Sequence, residues 1–216
     1  MLEFREDTHE YFFDGKQVPG VNEVMQSVGV VDYSFIPVAD RDTYFTRGTY
    51  VHLAMELLLK DELDWDTIDP AIEGYVRAGQ QFIFDTGFKA INIETPLYHP
   101  VWGYAGTPDC VGVLCDNPLD SRFVAINKRH IVIDWKSCPI MSYVRWQTAA
   151  YQELYAINGI ANGVERYGVE LKKTGKYKMS QTWDSSVDFQ EFASFLTTYK
   201  YQKLRINDGQ CTWKDK

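Results

Sequence analysis

The chain has 216 residues, of which 45% are hydrophobic and 15% aromatic, and its formal net charge is −8. This size and apolar content predict one soluble domain over residues 1–216 with a single substantial core. The composition excludes a membrane span and a secretory signal, which favours a cytoplasmic protein. It also disfavours binding of nucleic acid through a broad basic surface.

The first 43 residues are predicted to form a small N-terminal hairpin and lid. Short β-like runs at 3–4 and 10–13 are separated from the next segment by a tight turn at Asp14-Gly15. A short amphipathic helix follows from about Asn22 to Ser27, and Asn22 is a candidate for its cap. Residues 29–43 have the composition of a loop, and a loop of this length in a compact domain is often functional.

The second predicted helix runs from about Tyr44 to Lys60. His52 and Glu56 lie four residues apart on it, so they share a face beside the apolar stripe. The pair fits a His–Glu contact on a partly buried helix. It also fits a metal-binding histidine whose ring is oriented by the glutamate. A third helix, 70–86, ends at Gly87 and carries no recognisable chemistry.

A strand from 90 to 97 carries Glu94, which is explained equally by a metal site and by a salt bridge at a sheet edge. A turn-rich link, 96–103, leads to two strands at 109–115 and 123–134. Paired as a hairpin, these strands would bring Asp109 beside Asp134. Adjacent carboxylates repel unless a cation lies between them, and Mg²⁺ or Mn²⁺ prefers oxygen ligands.

The second of these strands breaks the pattern of a buried strand. After Ile131, Val132 and Ile133 the chain places Asp134 and Lys136 on one face, with Trp135 on the other. Charges at the end of a core strand are costly to bury unless they are paired or bound to something. This segment alone supports two interpretations equally: a buried ion pair that holds a strand end, and a catalytic pair.

The remaining segments are a helix, a hairpin and a last helix. Gln147 and Tyr151 lie one turn apart on the helix from Tyr143 to about Asn158, which fits packing on the sheet or contact with a site. The hairpin at 164–171 and 177–183 contains a lysine run, 172–178, that we interpret as solvated surface rather than a DNA contact. An amphipathic helix from Val187 to about Leu204 precedes a polar tail, 205–216.

Four motifs now stand in order. They are Gly48-x-x-x-His52, Gly106-x-x-Asp109, Asp134-x-Lys136 and Gln147-x-x-x-Tyr151. This ordered set resembles the PD-(D/E)XK nuclease superfamily, in its RecB-like, phage-type exonuclease branch. The resemblance implies an α/β fold with a restriction-endonuclease-like core at 44–204, whose central mixed sheet is flanked by helices and preceded by an N-terminal β-hairpin.

The resemblance also implies roles for individual residues. The metal, Mg²⁺ or Mn²⁺, would be held by His52, Asp109, Asp134 and the main-chain carbonyl of Trp135. The catalytic set would be Asp109, Asp134, Lys136 and Gln147, with Lys136 orienting or deprotonating a water molecule. The nucleic-acid-binding residues would be Arg47, Arg145 and Tyr151.

The resemblance implies a metal-dependent DNA nuclease, an exonuclease of recombination or repair with a viral or prophage origin. Its partners would be DNA and a single-strand-annealing or other recombination protein. The cysteines, at 110, 115, 138 and 211, lack the clustered triplet of iron–sulfur relatives and are expected to be ordinary thiols. Two alternatives stay open: a nuclease acting on RNA, and an inactive module that binds DNA or protein.

Overall fold

The computed structural model describes residues 1–34, 36–114, 129–183 and 185–207. In chain order the strands are β1 (Leu2–Arg5), β2 (Glu10–Phe13), β3 (Lys16–Val18), β4 (Lys89–Ile93), β5 (Leu97–His99), β6 (Tyr104–Gly106), β7 (Cys110–Leu114), β8 (Arg129–Lys136), β9 (Glu165–Leu171) and β10 (Tyr177–Met179). The helices are α1 (Val21–Ser27), α2 (Val38–Leu59), α3 (Pro70–Thr86), α4 (Val144–Ile157) and α5 (Val187–Asn207), and a 3-10 turn lies at Trp65–Thr67.

A five-stranded mixed sheet is central, in the order β10-β9-β8-β7-β4. Strands β8 and β9 are parallel, and their connection is the helix α4, as parallel pairing requires. The other neighbours in this sheet are antiparallel. Strands β5 and β6 form a separate two-stranded sheet, and β1 to β3 form a three-stranded antiparallel sheet.

Helices cover both faces of the central sheet, and the side chains of β8 alternate between two cores. Ile131, Ile133 and Trp135 pack with α2 and α3, whereas Val132 packs with α1, α4 and α5. This alternation is the one expected of a strand buried on both faces. The fold-class prediction is confirmed: a central mixed sheet is flanked by helices and preceded by an N-terminal hairpin.

The predicted N-terminal turn is confirmed. Asp14 and Gly15 both have positive φ, at 48° and 75°, and Phe13 pairs with Lys16 across them. Two positive φ values suit the tight loops that match the twist of a hairpin. The helix α1 then packs into the main core through Val21 and neighbouring residues, so the N-terminal segment is joined to the rest of the fold.

Several predicted boundaries differ from the structure. Helix α2 begins at Val38, directly after Pro37, rather than at Tyr44, so Gly48 lies inside the helix and not near its start. Strand β4 ends at Ile93 because Glu94 turns the chain with a φ of 42°, and β5 forms where a link was expected. Helix α5 continues to Asn207.

Some predictions fall where the structure gives no description. The start of the strand expected at 123–134 and the loop before it lie outside the described residues, as do Cys115, Cys211 and the end of the tail. Cys110 and Cys138 are free cysteines. None of the helices in the described ranges combines the length and apolar content needed to cross a lipid bilayer.

Candidate active site

The antiparallel pairing of β7 with β8 brings two predicted carboxylates together. Cys110 pairs with Ile133, so one step further along the register places Asp109 opposite Asp134. The main-chain N–H of Trp135 donates to Oδ2 of Asp109 over 2.6 Å and fixes that side chain across the two strands. The predicted proximity of the two carboxylates is therefore present in the structure.

Asp134 has an unusual environment for a carboxylate. Its side chain is fully buried, Oδ2 forms an ion pair with the ammonium of Lys136, and no donor in the described ranges bonds to Oδ1. Burial raises the pKa of Asp134 to about 6; Lys136 opposes this rise and Asp109 adds to it. A buried carboxylate oxygen without a donor is costly, and it is available as a ligand atom for a cation.

His52, Glu94 and Asp109 form a compact cluster beside it. Nδ1 of His52 lies 3.3 Å from Oδ1 of Asp109 and 3.7 Å from Oε1 of Glu94. One donor atom from each residue fits within 4.8 Å of the others. One imidazole nitrogen and two carboxylate oxygens form a set that suits a divalent cation. The cluster and the open oxygen of Asp134 therefore fit the metal that the motifs imply.

The position of Glu94 answers a question that the sequence left open. Its positive φ turns the chain out of β4, while its N–H donates to the carbonyl of Asp109 over 3.0 Å. This geometry holds the Glu94 carboxylate at the cluster instead of at a solvated sheet edge. Glu56, which was considered as a partner for the imidazole of His52, pairs with Lys60 over 2.5 Å.

The protonation of the cluster follows from its charges. Burial raises the pKa of Glu94 to about 7, and repulsion by Asp109 adds to the rise. Burial works against charge on His52, but the carboxylates of Asp109 and Glu94 hold the pKa of the imidazole well above its usual value. Burial likewise opposes the charge of Asp109, yet His52 and Lys136 lower its pKa. The cluster thus accommodates a positive charge among its carboxylates.

Gln147 is held in one orientation by three partners. Its Nε2 donates to Oδ1 of Asn22 over 3.0 Å and to the hydroxyl of Tyr151 over 3.2 Å. These two bonds point Oε1 at the ammonium of Lys136, 3.4 Å away. The structure therefore joins the third and fourth motifs directly, and it adds Asn22, which sequence reasoning treated only as a helix cap.

An acidic cleft of about 500 Å³ contains these groups. We use this name for the cavity lined by Phe4, Glu6, His9, Asn22, Phe45, Gly48, Thr49, His52, Leu53, Glu56, Glu94, Thr107, Asp109, Asp134, Lys136, Gln147 and Tyr151. The side chain of Trp135, in contrast, is buried in the core, so only its main chain reaches the site.

The three predicted nucleic-acid contacts have different surroundings. Arg47 lies over the ring of Tyr44, with 4.4 Å from Cζ to the ring centroid. Tyr151 is buried at the cleft wall and bonds to Gln147. Arg145 forms an ion pair with Glu191 over 3.0 Å, lines neither the acidic cleft nor the cavity beside Arg47, and is held against α5.

No protein-family model matches the chain, and a sequence comparison with curated proteins finds no match. Among solved structures the chain is similar to one described as "Crystal Structure of LHK-Exo in complex with dAMP", with 14% sequence identity and a TM-score of 0.39. The match covers 89% of this chain and 94% of that chain. At this distance, the chemistry of the chain is inferred from its own residues.

Proposed function

We propose that the protein is a metal-dependent nuclease that hydrolyses phosphodiester bonds of DNA and works as an exonuclease in recombination or repair. The observation that carries the proposal is the buried Asp134 carboxylate, whose Oδ1 has no donor within the described ranges and which lies beside Lys136 and the His52 cluster. Such a group is costly for a scaffold, whereas a hydrolase needs it to bind a cation.

We propose His52, Glu94, Asp109 and Asp134 as the metal ligands. The compact cluster supports the first three, and the open Oδ1 supports Asp134. Glu94 thereby joins the set that the motifs predicted, and the carbonyl of Trp135 stays a candidate. A Mg²⁺ or Mn²⁺ ion here would polarise a phosphate oxygen and lower the pKa of a water molecule. The carboxylates that are raised in pKa by burial are the groups that a divalent cation would keep ionised.

Lys136 supplies a fixed positive charge. Burial disfavours its charged form, but Asp134 and Asp109 outweigh this effect and raise the pKa of the ammonium above its usual value. In the metal-free protein the ammonium is therefore protonated, which suits it to orient a water molecule and to stabilise phosphate charge. A cation bound to Asp134 and Asp109 would weaken the attraction that raises this pKa, so deprotonation of the water by Lys136 stays the second role in the proposal.

Gln147 completes the arrangement as a polar group of fixed direction. Its Oε1 can accept a hydrogen bond from Lys136 or from a water molecule in the cleft, because its Nε2 is already committed to Asn22 and Tyr151. A hydrogen-bond acceptor held in place by its neighbours needs little reorganisation during a reaction, which is how preorganised sites accelerate hydrolysis.

The test is digestion of end-labelled linear DNA, as duplex and as single strand, with RNA of the same sequence in parallel. Each reaction receives Mg²⁺, Mn²⁺ or EDTA. We expect cleavage of DNA with metal and none with EDTA, and we expect Asp134→Ala and Lys136→Ala each to abolish it. Asp66→Ala and Lys89→Ala are matched controls, since both side chains are exposed and line neither cavity beside His52.

Metal binding is measured separately by calorimetric titration of the unmodified protein and of His52→Ala. We expect weaker binding after His52→Ala because the cluster loses its only nitrogen donor. Identical isotherms would return His52 to a packing role. Preferred cleavage of RNA would replace the DNA assignment, and metal binding without any cleavage would indicate a binding module.

A further inference from the structure

A second cavity of about 370 Å³ meets the acidic cleft. We call it the aromatic pocket and define it by Tyr33, Tyr44, Phe45, Arg47, Met141 and Tyr143. Phe45, Gly48, His52 and Lys136 line both cavities, so the two are continuous at the proposed catalytic lysine. A group bound in the aromatic pocket would therefore lie next to any phosphate bound in the acidic cleft.

The walls of this pocket are exposed apolar surface. Phe45, Met141 and Tyr44 have 45%, 39% and 38% of their surface accessible, although all three are large and apolar. Tyr33 packs edge-on against Phe45, with ring centroids 5.1 Å apart. Aromatic rings that stay accessible around a concave site are a common means of binding flat ring systems.

The two cavities also differ in charge. Five carboxylates line the acidic cleft, at Glu6, Glu56, Glu94, Asp109 and Asp134. Among the described residues that line the aromatic pocket there is no aspartate or glutamate, and the charged side chains are Arg47, Lys136 and His52. An anionic ligand with a flat ring is therefore favoured in the aromatic pocket and repelled from the cleft unless a cation is bound there.

Arg47 has spare capacity to donate hydrogen bonds. Its Nε is buried, and no acceptor within the described ranges bonds to it. The guanidinium lies over Tyr44, which fixes its plane beside the pocket. Arg47 lines the pocket, and the terminal nitrogens of its guanidinium, rather than the buried Nε, are the donors suited to bind a phosphate oxygen there.

Gly48 leaves the junction between the cavities open. It lies in the middle of α2, and a Cβ added there would meet no atom within 4 Å. Glycine inside a helix lowers helix stability, and the open space around Gly48 shows no close contact that would require it. Gly48 lines both cavities, so at this position of their shared wall no side chain intrudes.

We propose that the aromatic pocket binds the base of an unpaired nucleotide next to the scissile phosphate, while Arg47 binds the neighbouring phosphodiester. The proposal rests on the proposed function and specifies its substrate: a strand that is single-stranded at the point of cleavage. A base in a duplex is stacked on both faces and paired at its edge, so it must leave the helix to enter such a pocket. Stacking on several rings recognises a base without selecting its sequence.

The experiment uses single-stranded oligonucleotides that carry 2-aminopurine at the 5′ end, at the 3′ end or in the middle. Binding is followed with Ca²⁺ in place of Mg²⁺ or Mn²⁺, so that the acidic cleft holds a cation, and gels check that the oligonucleotide stays intact. Stacking is reported by the loss of fluorescence. We expect quenching with the unmodified protein. Phe45→Ala and Met141→Ala should each reduce the quenching and weaken binding about tenfold.

Tyr50→Ala is the matched control. Tyr50 lies on the same helix, is 55% exposed and lines neither of the two cavities. We expect it to bind as the unmodified protein does. A second control uses oligonucleotides with an abasic site next to the 2-aminopurine, one for each position of the label. When the abasic site falls at the nucleotide whose base the pocket would bind, Phe45→Ala should weaken binding no further.

Two outcomes would overturn the pocket assignment: quenching that Phe45→Ala and Met141→Ala leave unchanged, or a loss that Tyr50→Ala reproduces. Cleavage assays on the same proteins separate this failure from that of the proposed function. Metal-dependent cleavage by the unmodified protein, with quenching that Phe45→Ala and Met141→Ala leave unchanged, rejects the base-binding pocket and retains the nuclease. Quenching that depends on Phe45, without any cleavage, rejects the nuclease while retaining the base-binding site.

Discussion

The metal-free folded protein is more stable when the side chain of Asp134 is neutral than when it is ionised. Its carboxyl is fully buried, and its pKa is raised to about 6 from a usual value of 3.8. The folded protein therefore binds a proton at this position more tightly than the unfolded chain does. Above pH 6 the ionised group lowers the free energy of unfolding of the metal-free protein.

We expect Asp134→Asn to raise the stability of the metal-free protein at pH 8 by about 1–3 kcal/mol, since each pKa unit corresponds to about 1.4 kcal/mol. The advantage should shrink as the pH falls from about 6 towards 4, because folded Asp134 then takes up the proton that stabilises it. Urea denaturation at several pH values in EDTA measures both effects.

Asp66→Asn is the control for this measurement, since its side chain is exposed. It should leave stability unchanged at every pH. Saturating Mg²⁺ should favour the unmodified protein over Asp134→Asn, because a ligand that binds only the folded state stabilises it. An Asn variant that is less stable than the unmodified protein at pH 8 in EDTA would contradict the unfavourable burial of this charge.

The residues of the proposed site were predictable where charged residues interrupt an apolar strand pattern. Charges at Asp134 and Lys136 interrupt a buried strand, and pairing with the preceding strand places Asp109 opposite. Glu94 could be named as a candidate but not placed, because its position depends on a positive φ that only the folded chain shows. Asn22 lies 125 residues from Gln147, and no local pattern predicts a contact over that separation.

Helix α1 supports the proposed site through a single side chain. Its buried face packs in the core with α4 and α5, while Asn22 at its first turn accepts a hydrogen bond from Gln147. Tyr199 on α5 donates to Glu23 of the same helix over 2.5 Å. The helix therefore positions Gln147 without itself reaching Lys136.

We expect Asn22→Ala to lower kcat for DNA cleavage about two- to tenfold, the range of one hydrogen bond, with little change in KM. The reason is that Gln147 loses a partner that directs its Oε1 towards Lys136. Asn22→Asp keeps the accepting oxygen and should retain more activity than Asn22→Ala. Steady-state kinetics on linear DNA give both values.

Gln26→Ala serves as the control on the same helix, because Gln26 is exposed. It should leave kcat unchanged. Equal losses from Asn22→Ala, Asn22→Asp and Gln26→Ala would show that the helix acts only through its general packing, and the positioning role of Asn22 would be rejected.

Helices with a clear apolar side were predictable to within a residue or two, as α3 and α4 show. The start of α2 was not, since much of its surface from Val38 to Tyr50 is exposed and gives no apolar periodicity. Strands β5 and β6 are three residues each, too short to show an alternating pattern. Their pairing depends on packing against α4, which is distant in sequence.

The distribution of charge over the molecule limits how it could bind DNA. With a net charge of −8 and carboxylates lining the proposed metal site, attraction to a continuous duplex would be weak at physiological salt. Among the described residues that line the aromatic pocket, Arg47 and Lys136 carry the side chains suited to contact phosphate. A strand end can enter such a site with less repulsion than the middle of a duplex.

We therefore expect degradation to require a free end. Covalently closed circles, double-stranded and single-stranded, should survive under conditions that degrade their linear forms, as followed on gels. The single-stranded circle has unpaired nucleotides but no end, so it distinguishes a requirement for unpaired nucleotides from a requirement for a free end. Circles linearised by a restriction enzyme are the control, and degradation of both closed circles at the linear rate would show an endonuclease.

The open backbone at Gly48 sets a limit on improving this protein. Replacing a helical glycine by alanine or leucine commonly stabilises a fold, and here the added atoms would meet no obstacle. An engineer selecting for heat resistance would choose this position early. The same atoms would narrow the junction of the two cavities. Selection for thermal stability alone would therefore favour variants that are more stable but in which the proposed path of the substrate is blocked.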